Sequence, residues 1–416
     1  MTNFSDHLFF GTLSRRQLFE RLTATGLAAP LAAAAAQAGQ PRPKGAPEPQ
    51  EENLVFSPAN IGGGGRIERN FYRDWIKKSK VPSTEGYAIL DAKRQELQPW
   101  PEIGGRGLYL NFPGNVHMDA VLLEAAAGKA LLPRRHFYEQ IVYAVAGRGY
   151  TTFGQGRQQA KVDWAEGSLF AVPMNVLHRH HNADSQHPAR LLAITSFPLT
   201  LQIFGSLGLI QDSNFSFSDR YAGQPDYFSS TQRVRQRWDH ANLVRDIRSN
   251  ELVMWEERGK GNASAFWDMG GNTILEPHIS QFPVNTYKLG HRHPYEAIIL
   301  TLNGKGFSLA AKQGLADEHD PVKIDWKAGS IISPPYFWYH QHFNTGDTRA
   351  RYWAITEGDF PKRLGIPLEV EQIEADQEDP SVRRRFEREL GHTMTGGAHP
   401  NPGVGHAHGH GHGPER

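Results

Sequence analysis

The chain has 416 residues, long enough for two or three domains, and its 45 Lys plus Arg against 44 Asp plus Glu leave no electrostatic footprint for nucleic acid. With 39% hydrophobic residues it can build a core, and 42 Gly with 27 Pro favour turns and short strands over long helices. Cys is absent, which removes disulfides, thiolate metal sites and Cys nucleophiles, so chemistry falls to 20 His, the carboxylates and the hydroxyls.

At the N-terminus, Arg15-Arg16 precede a mildly apolar run, Leu22 to Ala38, that closes on Ala36-Gln37-Ala38. The run is shorter than a membrane-spanning helix. The pattern resembles a twin-arginine (Tat) export signal over residues 1–38. That resemblance implies the Tat machinery as partner and a periplasmic or secreted destination. Because this route carries folded chains, it also implies that a metal or partner is acquired before export. Residues 39–105 read as linker and N-terminal arm. The stretch 40–50 is Pro-rich, and Gly62 to Gly65 lack both a preceding strand and a following Lys-Ser/Thr, so they read as a connector rather than a phosphate loop. A short amphipathic helix is expected over 70–78.

Self-comparison is the most informative test. Arg135-His136-Phe137-Tyr138-Glu139 recurs as Arg292-His293-Pro294-Tyr295-Glu296, and Gly147 as Gly304, at an offset of 157. Gly167, Pro173, His178 and Asn182 recur as Gly329, Pro335, His340 and Asn344 at an offset of 162. One five-residue insertion near Lys312 to His319 accounts for the change. Two copies of one domain follow. In each, short runs such as 140–145, 168–172, 298–302 and 330–333 sit between turn residues, which predicts antiparallel strands closing into a sandwich or barrel.

These residues resemble the cupin superfamily, whose motifs are G-x5-H-x-H-x3,4-E-x6-G and G-x5-P-x-G-x2-H-x3-N. The second copy carries His291, His293, Gly304, Gly329, Pro335, His340 and Asn344 at those spacings; the first carries Gly128, His136, Gln140, Gly147, Gly167, Pro173, His178 and Asn182. The resemblance implies an all-β fold of two tandem double-stranded β-helix barrels, a bicupin with short peripheral helices. The first barrel is expected over 106–212, a connection over 213–265, the second barrel over 266–358, and a charged helix with a His-rich tail over 359–416.

Alternation along a strand points His291 and His293 to one side, with His340 approaching from a neighbour. Three imidazoles with open positions opposite suit a divalent metal: Fe(II) foremost, with Mn, Zn, Ni or Cu as alternatives. The family's usual Glu ligand falls at Ala297 and is missing. Glu296, one residue early, points away by parity and reads as structural or as a partner to the ligands. A neutral three-His set resembles that of gentisate-type and thiol dioxygenases rather than the His3Glu sets of germins and oxalate decarboxylases. It favours an anionic substrate. Tyr295 and His342 are the candidate acid–base groups. The first copy has Arg134 at the first His position, leaving Arg134, His136, Gln140 and His178 as a degenerate site: a structural barrel, a weak metal site or a carboxylate pocket. A surface loop accounts for His180 and His181. Tyr287, Phe337, Trp338 and Tyr339 are expected around the second site, as core or as substrate wall.

Residues 383–390 read as a charged surface helix. The tail that follows, with His399, His406, His408, His410 and His412, cannot build a core and reads either as solvated or as a metal-capturing tract. The expected function is an exported Fe(II)-dependent dioxygenase for an aromatic or other anionic small molecule, with a homo-oligomer allowed. The alternatives are a non-oxidative metal-dependent isomerase, lyase or decarboxylase, or a non-catalytic binding protein.

Overall fold

A computed structural model describes residues 70–154, 159–259, 261–366 and 370–394. The expected export signal over 1–38, Gly62 to Gly65 and the His-rich tail beyond 394 lie outside the described residues. The rest is two tandem β-barrels, each made of a larger and a smaller sheet. In the first, the larger sheet runs Ser83–Glu85, Gly105–Asn111, Asp119–Ala125, Ala189–Thr195, Gln140–Ala146, Leu169–Val172, Leu243–Val244. It faces His178–Asn182, Arg148–Phe153 and Ala160–Ala165. In the second, Thr231–Arg235, Trp238–Ala241, Ala263–Asp268, Glu276–Phe282, Ala350–Thr356, Ala297–Asn303, Ile331–Ile332 and Ala88–Ile89 form the larger sheet. It faces Val322–Lys327, Lys305–Ala311, Tyr339–Asn344, His291–Arg292 and Glu371–Gln372. This is the all-β, twice-repeated architecture expected.

The last strand of each larger sheet comes from outside its own barrel. Ala88 and Ile89, before the first barrel, pair with Ile332 and Ile331 of the second. Leu243 and Val244, between the barrels, pair with Phe170 and Leu169 of the first. Matching bonds lock both exchanges: Ser330 Oγ donates to Leu90 O at 2.8 Å, and Ser168 Oγ to Arg245 O at 2.7 Å. The amides of Ala92 and Ile247 donate to the carbonyls of Gly329 and Gly167. Those glycines sit at φ 91° and 97°, a backbone region that any side chain would strain, which explains the recurring Gly-Ser. The stretch read as linker and arm, 39–105, thus contributes strands in its described part. A single apolar cluster runs between the barrels, from Ile89, Leu108 and Leu192 to Trp353 and Ile355, with Tyr143 stacked on Trp353 at 5.6 Å.

Two reciprocal carboxylates tie the halves further. Glu139 accepts the backbone N–H of Thr273, Ile274 and Leu275 at 2.7–3.0 Å, together with Thr273 Oγ1 and the Arg220 guanidinium. Its repeat counterpart Glu296 accepts the N–H of Val116, His117 and Met118.

The helix Phe71–Ser79 begins where Asn70 Oδ1 accepts from Arg73 N, and its Tyr72 and Ile76 pack with Tyr138, Phe197 and Leu201. The C-terminal helix Pro380–Leu390 is capped by Asp379. It sets Val382 and Phe386 against Tyr287, Phe307, Leu309 and Phe343 on the outside of the second barrel's smaller sheet. No described helix is long and apolar enough to cross a membrane.

Candidate metal centre

Antiparallel register sets His291 directly opposite His340, and His293 follows two residues later on the same side. Each ring is oriented by its own backbone. Nδ1 of His291 donates to Leu289 O, that of His293 to Tyr295 O and that of His340 to Trp338 O, at 3.2, 2.8 and 3.0 Å. This fixes the tautomer and leaves the Nε2 lone pairs for a ligand. The three rings offer ligand atoms within 4.8 Å of one another, the one such group found among the described residues. Burial holds all three imidazoles neutral at ordinary pH. For His291 the Arg258 charge adds to it, for His293 the neighbouring His340, and His340 is pushed down to about 4. Neutral, converging and backbone-anchored, the donor set fits a divalent ion.

Ala297 lines the site where a fourth ligand would sit. Glu296 faces the opposite way, its carboxylate buried against the 116–118 loop, so it is a clamp between barrels and not a partner of the ligands. Burial lifts it to about 7. Nearby, His117 Nδ1 lies 2.8 Å from Glu357. Burial opposes the charged imidazole, but the Glu357 hydrogen bond and the charges of Glu357 and Glu296 outweigh it and raise its pKa.

The triad opens on a cavity of about 660 Å³. Tyr295 lines it, stacked on His293 at 3.8 Å. His342 also lines it, with Nδ1 2.7 Å from Ser308 Oγ, which in turn accepts from Trp326 Nε1. The first barrel repeats that chain as His180, Thr151 and Trp164, so at least part of the His342 environment is scaffold. Trp238, Phe266 and His278 form a stacked run along the wall. Four further wall groups are linked: Lys288 Nζ donates to Ser280 Oγ at 2.8 Å and to Tyr352 Oη at 2.7 Å, and Ser264 Oγ donates to Ser280 Oγ. Arg258, from the connection between barrels, brings Nη2 to 3.1 Å from His291 Nε2 and Nη1 to 3.3 Å from Gln372 Oε1. Glu276 is lifted by burial, then by Asp359, to about 7.

The first barrel is built on the same register with other residues. Arg134 pairs with His178 as His291 does with His340. His136 and His178 keep their Nδ1 contacts to Tyr138 O and Val176 O. Arg134 lies over Trp100, and its pocket, lined also by Gln140, Leu123 and Leu131, holds about 20 Å³, room for a single water. Leu131 donates its N–H to His180 O as Lys288 does to His342 O. Cross-strand Leu123 and Leu191 stand where Ser280 and Tyr352 stand. The wall is apolar in the barrel that lacks the triad and polar in the barrel that has it.

Burial makes the first barrel acid-sensitive. His136, His178 (about 4) and His180 are all pushed below the usual 6.5, while Asp119 is pushed up to about 7. A depressed imidazole contributes stability that is present above 6.5 and lost as pH falls; the raised carboxyl acts oppositely, losing its contribution as pH rises toward 7. Between those limits the unfolded chain takes up three protons and the folded one keeps one. Each net proton is worth about 1.4 kcal/mol per pH unit, so these groups alone should remove roughly 2–3 kcal/mol per unit below about pH 6. Urea midpoints of metal-free protein, unchanged from pH 6.5 to 5, would contradict this.

Several expectations are corrected. His180 and His181 lie in the strand His178–Asn182, not in a surface loop: His180 is buried, and His181 stacks on Tyr150 at 4.4 Å. Tyr287 takes the core alternative: it is fully buried in the outer cluster and donates to Glu378. Phe337 and Tyr339 meet Arg292, and Trp338 meets Lys312, away from the cavity. Lys288, Tyr352, Ser280, His278 and Arg258 were not predicted from sequence. Comparing the copies for differences rather than identities would have shown three of them, at the positions of Leu131, Leu191 and Leu123.

Residues 121–195 match the family model described as a cupin domain. No curated protein matches the chain. Similar solved structures include the oxalate decarboxylase of Bacillus subtilis at pH 4.6, at 14% identity over 75% of this chain and 86% of that one, TM-score 0.45. A Bacillus subtilis oxalate decarboxylase structure concerned with its Mn(II) centres matches at 14% identity over 76% and 88%, TM-score 0.46. An oxalate decarboxylase structure concerned with substrate binding mode matches at 14% identity over 80% and 93%, TM-score 0.46.

Proposed function

We propose that the second barrel is the working site of a metal-dependent enzyme acting on an anionic small molecule, and that its chemistry is non-oxidative proton transfer of the isomerase, lyase or decarboxylase kind. The observation that carries this reading is the contrast between the barrels. Only the barrel with three converging imidazoles also replaces its leucine wall with Lys288, Tyr352 and Ser280 and opens a roomy cavity. His291, His293 and His340 would hold a divalent ion, whose contribution is Lewis-acid polarisation of a bound oxygen.

The chain's own residues do the rest. Arg258 donates to the Nε2 lone pair of His291 that a metal would take, so the two are exclusive, and the guanidinium is then free for a ligand carboxylate. Lys288 adds a second cation, this one buried, and Trp238, Phe266 and Tyr295 supply flat apolar surface for the ligand's body. The neutral triad, with Ala297 in the fourth position, favours a second reading: an Fe(II) dioxygenase for an aromatic or other anionic substrate. We propose further that residues 1–38 direct Tat export of the folded chain to the periplasm or beyond.

Metal analysis of anaerobically purified protein, followed by incubation with a panel of hydroxy, keto and aromatic acids under oxygen electrodes, separates the readings. One divalent ion per chain with oxygen-independent turnover is expected. Iron with oxygen uptake would favour the dioxygenase, and protein that takes up no metal would overturn both.

A further inference from the structure

We propose that Tyr352 is the acid–base group of the second-barrel site, exchanging a proton with the bound ligand, and that Lys288 is its positioning residue. The proposal rests on the metal-enzyme reading above and names the proton-handling groups within it. Four strands and loops converge to build the arrangement. Tyr352 comes from Ala350–Thr356, Ser280 from the paired strand Glu276–Phe282, Ser264 from Ala263–Asp268, and Lys288 from the stretch before His291. Lys288 is 4% exposed as a residue, and its ammonium places two of its donors, one on Ser280 Oγ and one on Tyr352 Oη. Tyr352 is less enclosed and lines the cavity, with its ring 5.8 Å from that of His342, itself beside His340.

Burying an ammonium is strongly unfavourable unless a partner offsets it. The first barrel shows that the fold does not require it, because leucines fill all three equivalent positions there. A purely structural role would not confine the polar set to the barrel with the triad.

The electrostatics agree. Burial alone would raise the Tyr352 phenol. The adjacent Lys288 charge and its hydrogen bond, with help from Ser280 and Arg258, outweigh that and bring it below its ordinary value. Burial lowers Lys288, and Arg258 lowers it further. His278 and His342, which also face the pair, are both held neutral by burial and add no charge of either sign, so the lysine and Arg258 are the cations that act on the phenol. In the reaction, the phenolate takes a proton from a ligand hydroxyl or from a carbon beside a carboxylate. That O–H or C–H bond breaks, its electron pair stays on the ligand, and the proton rests on Tyr352 until it is returned. Lys288 keeps its protons throughout. The ligand class is therefore an anion with such a proton to give.

The test is NMR of protein carrying isotope-labelled tyrosine, following the Cζ resonances with pH. One tyrosine should ionise below the free value of about 10. That transition should vanish in Tyr352→Phe, move above about 10 in Lys288→Leu, and stay low in Lys288→Arg. If Lys288→Leu fails to fold, Lys288→Met reads the same shift. A titration below pH 10 that is unchanged in Tyr352→Phe, or unmoved by loss of the lysine, overturns the pair. Metal content measured on the same samples keeps the two claims apart. A low tyrosine with no metal uptake supports the pair and overturns the metal-enzyme reading, whereas metal uptake without the low tyrosine does the reverse.

Discussion

Replacing His291, His293 or His340 by alanine is expected to abolish binding of a divalent ion, whereas His136→Ala should leave most of it. Each of the three rings presents one Nε2 to a shared point, and no carboxylate stands at Ala297 to make up for a lost donor. With two imidazoles left, the site loses a third of its protein ligands, so affinity should fall by orders of magnitude rather than severalfold. His136 keeps the backbone contact of its counterpart His293. Its barrel, however, has Arg134 where His291 stands, and a pocket with room for one water. A fixed cation beside two imidazoles repels a dication. Calorimetric titration with Mn(II), Zn(II) and anaerobic Fe(II) reads the difference. Equal loss in His136→Ala would show that the working barrel is the first.

Removing a clamp should cost a sizeable share of the fold's stability while leaving the triad's chemistry untouched. Glu139→Ala removes the acceptor of the N–H groups of Thr273, Ile274 and Leu275, of which Leu275 is buried, Ile274 half-buried and Thr273 exposed, and of the Arg220 guanidinium. An unsatisfied buried donor costs about 1–3 kcal/mol, and water can reach the more exposed Thr273 and Ile274 amides, so the loss should be on the order of 3 kcal/mol, a sizeable share of the stability of many domains. Glu139→Gln keeps an accepting oxygen and should cost roughly half as much. Urea midpoints should fall in the order wild type, Gln, Ala. An Ala variant as stable as wild type would mean that the 273–275 loop finds other partners.

The doubled barrel and the histidine triad are legible in the sequence because both are written in spacing. Gly147 and Gly304 sit at φ 85° and 90°, where an added Cβ would meet Ala189 or Ala350 at 2.9 Å, so these glycines recur in place. The i, i+2 rule gives the shared side of His291 and His293 and turns Glu296 away. What Glu296 turns toward is illegible, since the 116–118 loop is 180 residues earlier and carries no pattern. Ala88–Ile89 and Leu243–Val244 are too short to show periodicity, and only tertiary pairing makes them strands. His178–Asn182 has no apolar alternation, which is why His180 reads as loop although buried. The Lys288–Tyr352 pair escapes because its members are 64 residues apart and a search for matching positions passes over them.

The exchanged strands set an order on synthesis. As the chain leaves the ribosome, the first barrel cannot complete its larger sheet until residues 243–247 have emerged, some 50 residues after its own last strand ends at Thr195. The second waits on a segment already made, residues 88–92, which must stay free of other pairings until Ile331 and Ile332 arrive. At roughly 5–20 residues per second, that edge stays open for many seconds. The first barrel can therefore close while synthesis continues, once residue 247 is out, whereas the second closes later, and until then its waiting segment is an unpaired edge that invites association.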